Sequence, residues 1–292
     1  MAEQLEFGHL DIGIGCSPGK RRRHGVSVNL HMSTQLQALG ALDKLRQGNP
    51  EYSYKVALSR DAVCAGLNRY FNVLPCACLL TDDRALLPGA YINASLIAPL
   101  GTHSYVATQA PLPHTYINFF RHIVASGADT IVNLTPLVEH GIQKSDPYWT
   151  AGDLGDGWSV TIQRECGSNI PGLKTRTLLI ATPESTHSVA QLHFEGWPDH
   201  GVISPTTIIA LADAVGAART SDPVWVHCSA GIGRSGTLIG ALLAQEHDDR
   251  SVPPHKMAAS IVAHMREFRA GMVQTPEQFN ALVDTIAALR AL

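Results

Sequence analysis

The middle of the chain carries short runs of apolar and β-branched residues that predict strands. Between the second and third runs, NFFRHIVAS (118–126) has the apolar spacing of a helix. Another helix is predicted near the start, over 33–46. The predicted strands are YINASLI (91–97), YVATQ (105–109), TIVNLT (130–135), WSVTIQRE (158–165), KTRTLLIA (174–181) and VAQLHFEGW (189–197).

After Trp197 the pattern becomes mainly helical. One apolar run, PVWVH (223–227), predicts a buried strand that leads through small residues into an apolar helix. The last helix begins with Thr275 and Gln278 at the spacing of a capping box. The predicted helices cover 206–219, 235–246, 256–268 and 276–292. The whole pattern predicts an α/β fold, with a central twisted mixed β-sheet flanked by helices.

One domain is the simplest organisation for 292 residues without internal repeats. We expect a flexible N-terminal segment over 1–30 and a single domain over 31–292. The GKR at 19–21 is not a P-loop, because Ile14 and Arg21 stand where that motif needs glycine and a hydroxyl residue. The basic run at 20–23 is typical of a solvated segment, with a nuclear signal or an acidic-lipid contact as alternatives.

Composition narrows the class of protein. Hydrophobic residues make up 45% and charged residues 16%, with a net charge of −3, so nothing points to nucleic acid. The start lacks the pattern of a signal peptide, and no apolar run is long enough to span a membrane. The six cysteines are expected to be reduced thiols in the cytoplasm. No zinc-ligand spacing occurs, so we expect neither metal nor cofactor.

The stretch HCSAGIGRSG (227–236) holds the strongest chemical signal. Small residues at 229–233 let backbone N–H groups turn inward beside a helix N-terminus, which is a binding site for anions. Arg234 adds a fork of donors that matches two phosphate oxygens. The same positive field favours a thiolate at Cys228, aimed at the bound phosphorus. The alternatives are a buried cysteine in an ordinary turn, or another cysteine-loop enzyme such as a sulfur transferase or arsenate reductase.

This stretch resembles the signature loop of the tyrosine-specific, non-receptor type protein tyrosine phosphatases. The resemblance covers most of the chain from about residue 68, and trypanosomatid members are similar in their compact form. Six further motifs carry it: NRY (68–70), YINAS (91–95), TQAPL (108–112), EHGIQKSDPYW (139–149), WPDHG (197–201) and VQTPEQF (273–279).

The resemblance implies roles for the catalytic residues. Cys228 is the nucleophile, and Arg234 binds the phosphoryl group. Asp199 is the general acid and then the general base, on a mobile loop that begins at Trp197. Gln274 positions the hydrolytic water, and Ser235 donates a hydrogen bond to the departing thiolate.

It also implies supporting and binding residues. His227 orders the loop, Glu139 clamps Arg234, and Lys144 meets the closed acid loop. Tyr70 forms the pocket wall that selects phosphotyrosine. The other expected phosphate- or substrate-binding residues are Asn72, Ser229, Ala230, Gly231, Ile232, Gly233 and Gln278. Three positions depart from the family pattern, namely Leu67, Asn72 and Ala110, and Asn72 weakens the expected preference for acidic peptides.

The function implied is hydrolysis of phosphotyrosine in proteins through a cysteinyl-phosphate intermediate, by a monomer. Dual-specificity and phosphoinositide phosphatases share the Cys-x5-Arg spacing and stay open as alternatives. Lipid phosphatases often carry lysines inside this loop, and 229–233 has none. A phosphotyrosine-binding protein without activity is a third reading, although no catalytic residue is missing.

Overall fold

The computed structural model describes residues 36–41, 43–44, 66–75, 91–198 and 201–292. An eight-stranded mixed sheet forms its centre, in the order β1-β2-β10-β3-β9-β8-β7-β6. The strands are β1 (Ala94–Ile97), β2 (Tyr105–Thr108), β3 (Thr130–Asn133), β6 (Gly152–Gly155), β7 (Trp158–Gly167), β8 (Leu173–Ala181), β9 (Thr186–Phe194) and β10 (Val224–His227). A separate hairpin pairs β4 (Val138–Glu139) with β5 (Ile142–Gln143).

Helices cover both faces of the sheet. The helices are α1 (Tyr116–Ala125), α2 (Pro205–Ala218), α3 (Arg234–Glu246), α4 (Pro254–Phe268) and α5 (Pro276–Ala291). Residues 36–41 and 43–44 are also helical, in agreement with the helix predicted there. Of the described helices, none is long and apolar enough to span a membrane. The predicted fold class is confirmed, while the segment 1–30 lies outside the described residues.

Strand burial explains the sequence patterns. The central strands β2, β3 and β10 are parallel and buried along their whole length, so they read as continuous apolar runs. Strand β8 lies in the antiparallel half and alternates buried with more exposed residues. On β10, Val224 and Val226 pack against the core under α2–α5, and Trp225 packs against the core under α1.

Parallel pairing places three loops at one edge of the sheet. Strands β2, β10 and β3 are neighbours and run in the same direction, so their carboxyl ends lie side by side. The residues that follow them are Gln109, Cys228 and Leu134. Crevices at the carboxyl ends of parallel strands are the usual place for ligand sites in α/β proteins.

Candidate active site

The loop from Cys228 to Gly233 joins β10 directly to α3. Helix α3 is buried from Arg234 to Ala244, and its N-cap, Gly233, offers no side-chain cap. The first N–H groups of a helix have no partner within the helix, so this terminus presents donors to the loop.

The carbonyl groups of residues 229–232 accept hydrogen bonds from groups outside the loop. Ala110 donates its N–H to the Ser229 carbonyl at 2.9 Å, and Val273 donates to the Ile232 carbonyl at 2.9 Å. Arg269 donates to the carbonyls of Ala230 and Gly231, each at 2.9 Å. In a trans peptide the following N–H points opposite to the carbonyl, so the N–H groups after these carbonyls face the inside of the loop.

The Cys228 thiol lies within this ring of donors. Its Sγ accepts the Gly231 N–H at 3.3 Å, and only 5% of the residue is exposed. A cavity of about 240 Å³ opens above it. The side chains and loop residues that line this cavity are Tyr70, Asn72, Val73, Lys144, Cys228, Ser229, Ala230, Gly233, Arg234, Gln274 and Gln278.

Arg234 is held in one orientation. Its Nη2 lies 2.6 Å from Glu139 Oε2, and its Nη1 donates to Thr135 Oγ1 at 2.7 Å. Thr135 follows β3 and Glu139 lies in β4, so these two segments position the guanidinium in the wall of the cavity. The role predicted for Glu139 is to clamp Arg234, and the structure places the two side chains together.

His227 fixes the start of the loop from the buried side. Its Nδ1 lies 3.0 Å from the Cys228 carbonyl, which can only accept, so Nδ1 carries the proton. Its Nε2 then accepts from the Tyr148 hydroxyl at 2.8 Å, and Gln191 donates to that hydroxyl at 2.8 Å. Burial lowers the pKa of His227 to about 3, so the imidazole is neutral at physiological pH. These hydrogen bonds connect the Cys228 carbonyl through His227 and Tyr148 to Gln191. That His227 orders the loop stays a prediction.

Tyr70 and Lys144 meet at Ser229. The Ser229 hydroxyl donates to the Lys144 carbonyl at 2.7 Å, and the Tyr70 hydroxyl lies 2.8 Å from Ser229 Oγ. Because the Ser229 proton is used, Tyr70 is the donor. Tyr70 therefore lines the cavity and is held by Ser229, while its predicted selection of phosphotyrosine stays a prediction.

Gln274 and Gln278 approach the loop from the start of α5. Gln278 completes the predicted capping box with Thr275 and also accepts the Gln274 N–H at 3.0 Å. Both glutamine side chains come close to Gly233, where an added Cβ would lie 3.0 Å from Gln278 Nε2 and 3.1 Å from Gln274 Oε1. A larger residue at 233 would displace both amides.

Three predicted residues need separate mention. Ser235 is fully buried beside Arg234, and its Oγ makes no hydrogen bond within the described part of the chain. Trp197 is buried, and its indole N–H donates to the Gly201 carbonyl at 3.1 Å, which closes the base of the predicted acid loop. Asp199 lies outside the described residues.

Sequence reasoning missed Arg269, which holds the back of the loop. Its side chain is completely buried, and besides the two loop carbonyls it binds Asn93 Oδ1 at 2.8 Å. Asn93 in turn donates to Asn68 Oδ1 and to the Val73 carbonyl, both at 2.7 Å. The motif YINAS contained Asn93, but no local pattern distinguishes Arg269 from a surface arginine at a helix end.

The comparison with known proteins agrees with this geometry. The family model described as "Protein-tyrosine phosphatase" matches residues 66–288. Mouse tyrosine-protein phosphatase non-receptor type 18 is 35% identical over 211 residues, which cover 69% of this chain and 46% of that protein. The chain spans about half or less of the length of the first curated relatives that it matches.

Solved structures extend the similarity to the fold. The protein tyrosine phosphatase of Trypanosoma cruzi matches with a TM-score of 0.76 and 29% identity, over 91% of this chain and 92% of that one. A non-receptor type 18 phosphatase in complex with a HER2 phosphopeptide matches with a TM-score of 0.76 and 27% identity, over 89% of this chain and 99% of that one.

Proposed function

The chain belongs to the protein-tyrosine phosphatase family, and from this premise we propose that it hydrolyses phosphotyrosine in proteins. The observation that carries the proposal is the position of the Cys228 thiol. It lies at the floor of a cavity, inside a ring of N–H donors, beside the fixed guanidinium of Arg234. This arrangement binds a tetrahedral dianion with the sulfur next to its phosphorus.

In the first proposed step, the Cys228 thiolate attacks phosphorus. The S–P bond forms while the bond from phosphorus to the tyrosine oxygen breaks. Asp199 gives its proton to that oxygen, so that a neutral phenol leaves. Arg234 and the inward N–H groups stabilise the negative charge on the three equatorial oxygens.

In the second proposed step, water attacks the cysteinyl-phosphate. Gln274 orients the water and Asp199 accepts its proton, while the P–S bond breaks and inorganic phosphate forms. The Ser235 hydroxyl donates a hydrogen bond to the departing thiolate, which makes the sulfur a better leaving group. The exposed position of Gln274 at the cavity edge and the buried position of Ser235 support these roles.

The wall formed by Tyr70 supports selectivity for phosphotyrosine. A phosphorylated aromatic side chain is long enough to reach the sulfur of Cys228, a residue that is only 5% exposed. Its ring stacks on Tyr70. Phosphoserine places its phosphate closer to the peptide backbone, which this wall keeps away from Cys228.

The proposal includes a monomer in the cytoplasm whose partners are phosphotyrosine proteins. The cysteines in the described part, Cys166 and Cys228, are free thiols, which suits a reducing compartment. A relative has been solved with a phosphopeptide, which supports the partner class. The net charge of −3 gives no reason to expect nucleic acid.

Hydrolysis of matched phosphotyrosine and phosphoserine peptides tests the proposal. We expect turnover of the phosphotyrosine peptide alone. Cys228→Ser should abolish it, and Asp199→Ala should lower kcat by about 10²–10⁴-fold while KM stays close to that of the wild type. Equal turnover of both peptides would assign dual specificity. Binding of phosphopeptide without turnover would assign a binding protein.

A further inference from the structure

Two exposed apolar side chains, Phe71 and Ile142, stand on segments that enclose the mouth of the cavity. Phe71 is 80% exposed and Ile142 is 59% exposed. Apart from Leu292, these are the most exposed large apolar residues in the described part of the chain. Large exposed apolar residues beside a binding site often mark contact with a partner.

Hydrogen bonds anchor both segments to the same residue of the loop. Tyr70, which precedes Phe71, donates to Ser229 Oγ, and Ser229 donates to the carbonyl of Lys144. The Lys144 N–H donates to the Leu137 carbonyl at 2.8 Å, which closes the base of the β4–β5 hairpin. The segment of Phe71 and the hairpin are therefore both connected to Ser229.

The register of the hairpin decides which of its side chains face the cavity. Glu139 pairs directly with Ile142, and Val138 pairs with Gln143, so Glu139 and Ile142 share one face. Glu139 is bound to Arg234 in the cavity wall, so this face is the one turned toward the site. Val138, which is 53% exposed, lies on the opposite face.

The hairpin is built to hold this face in place. His140 and Gly141 connect its strands with positive φ angles of 51° and 76°. Two central residues of this kind form the turn that matches the natural twist of a hairpin. Ile142 therefore stands on a short, well-defined element rather than on an extended loop.

The same segments offer no exposed lysine or arginine. Within 66–75 and 137–146, which the structure describes completely, Arg69 is paired with Asp146 and has a side chain that is 8% exposed. Lys144 is 9% exposed. The one exposed basic residue within these ranges is His140, in the hairpin turn. Acidic residues of a peptide would thus find no exposed lysine or arginine on these segments, whereas apolar residues would find Phe71 and Ile142.

We propose that Phe71 and Ile142 form an apolar rim that selects phosphotyrosine peptides with large apolar side chains next to the phosphotyrosine. This specificity rests on the proposed function, because it requires phosphotyrosine to occupy the cavity. The peptide must then leave the cavity across the rim. Burial of an apolar flanking side chain against Phe71 and Ile142 removes apolar surface from water on both partners.

The test compares two phosphotyrosine peptides that differ only in their flanking residues, leucine in one and glutamate in the other. We expect kcat/KM to be about 10-fold higher for the leucine peptide, since burial of part of a leucine side chain provides that factor. Phe71→Ala and Ile142→Thr should each lower the ratio about threefold to fivefold. Val138→Thr is the matched control on the other face of the hairpin, and it should leave the ratio unchanged.

The rim and the proposed function fail in different ways. p-Nitrophenyl phosphate has no flanking residues. If the wild type does not hydrolyse it, the proposed phosphatase activity is wrong. Its hydrolysis together with equal kcat/KM for both peptides would overturn the rim alone, as would a ratio that Phe71→Ala and Ile142→Thr leave unchanged. Fluorescence anisotropy with Cys228→Ser measures the same preference as binding, so the rim is tested even without turnover.

Discussion

Arg269 supports the loop 228–233 from behind, although its own side chain is not among the residues that line the cavity. It fixes the carbonyls of Ala230 and Gly231 and thereby turns the following N–H groups inward. The guanidinium does this with a rigid fork, and it is completely buried. The orientation of two of the loop's peptide groups thus depends on one side chain that lies outside the loop.

Arg269→Lys should therefore weaken phosphate binding, although the substitution keeps the positive charge. A lysine ammonium cannot keep the planar set of bonds to Ala230, Gly231 and Asn93. We expect inorganic phosphate to inhibit about 10-fold less well, and the free energy of unfolding to fall by about 2–3 kcal/mol. Inhibition kinetics and urea unfolding measure the two effects. Arg164→Lys, on the exposed side of β7, is the control. A loss of stability with unchanged inhibition would assign Arg269 a purely structural role.

His227 makes stability depend on pH. Its folded-state pKa of about 3 lies below the value of about 6.5 in an unfolded chain, so the unfolded protein binds the proton first as pH falls. The stabilisation is therefore complete above about pH 6.5 and is lost as pH decreases toward 3. Burial also lowers the pKa of His193, which adds in the same direction.

Urea unfolding at pH 7 and pH 5 measures this effect. We expect His227 alone to account for a loss of about 2 kcal/mol between the two values, by proton linkage. His227→Gln should remove that part of the pH dependence, while His187→Gln, at the partly exposed start of β9, should keep it. An identical pH dependence in all three proteins would show that folding does not lower the pKa of His227.

At the scale of elements, the loop between β10 and α3 passes very close to β2. Gly231 has a φ angle of +73°, and a Cβ added there would lie 2.0 Å from the Thr108 carbonyl oxygen. Neither the backbone conformation nor the space accepts a side chain. This contact sets the depth of the loop between α3 and the sheet edge.

Gly231→Ala should consequently push the loop away from β2. We expect a loss of more than about 2 kcal/mol in the free energy of unfolding, since both strain and overlap contribute, together with loss of vanadate binding. Gly216→Ala in α2 is the matched control, because nothing lies within 4 Å of the added Cβ. It should raise stability by about 0.5–1 kcal/mol. Thermal unfolding with and without vanadate distinguishes the two variants. Normal vanadate binding by Gly231→Ala would contradict the close fit.

At the scale of the whole molecule, an ion pair connects the first helical segment (36–41 and 43–44) to the residues before Gln274. Arg266 Nη1 lies 3.0 Å from Asp43 Oδ2, and both side chains are nearly buried. The same guanidinium donates to the carbonyls of Met272 and Val273, directly before Gln274. The first helical segment thus helps to hold the residues directly before Gln274, which we propose as the residue that positions the hydrolytic water.

Asp43→Ala should affect both stability and the second chemical step. Removal of one partner from a largely buried ion pair costs about 3–5 kcal/mol, because it leaves Arg266 without its counter-charge. We expect hydrolysis of the cysteinyl-phosphate to slow, so that phosphoenzyme accumulates in rapid-quench experiments. Lys44→Ala, at the exposed neighbouring residue, should change neither. A stable Asp43→Ala protein without phosphoenzyme accumulation would argue against this coupling.

Local pattern was enough to predict most elements and the chemistry of the loop. The central strands β2, β3 and β10 are buried on both faces and therefore read as continuous apolar runs. Helices α1–α5 each bury at least one face, so apolar residues recur along them at helical spacing. In the loop 228–234, small residues, a thiol and an arginine before a helix favour anion binding and a reactive cysteine. The resemblance of the other motifs was needed to favour a phosphatase over other cysteine-loop enzymes. Capping of α5 by Thr275 is equally local and is confirmed.

Residues that act across the fold could not be predicted from the chain alone. Arg269, Tyr148 and Asp43 reach their partners through tertiary packing, over 39, 79 and 223 positions of sequence respectively. Their roles depend on burial, because a hydrogen bond or ion pair is stronger where water is excluded. A sequence pattern records residue type and spacing, but it does not record which distant groups share a buried space.

The amino-acid sequence by itself determined the mixed sheet with its helices, and it predicted Cys228 as the nucleophile and Arg234 as its phosphate-binding partner, because each of these is set by nearby residues. Only the tertiary structure decided how the loop is held and which side chains surround its mouth. The parallel pairing of β2, β10 and β3 brings separate loops to one edge, and the register of β4 with β5 turns Ile142 rather than Val138 toward the site.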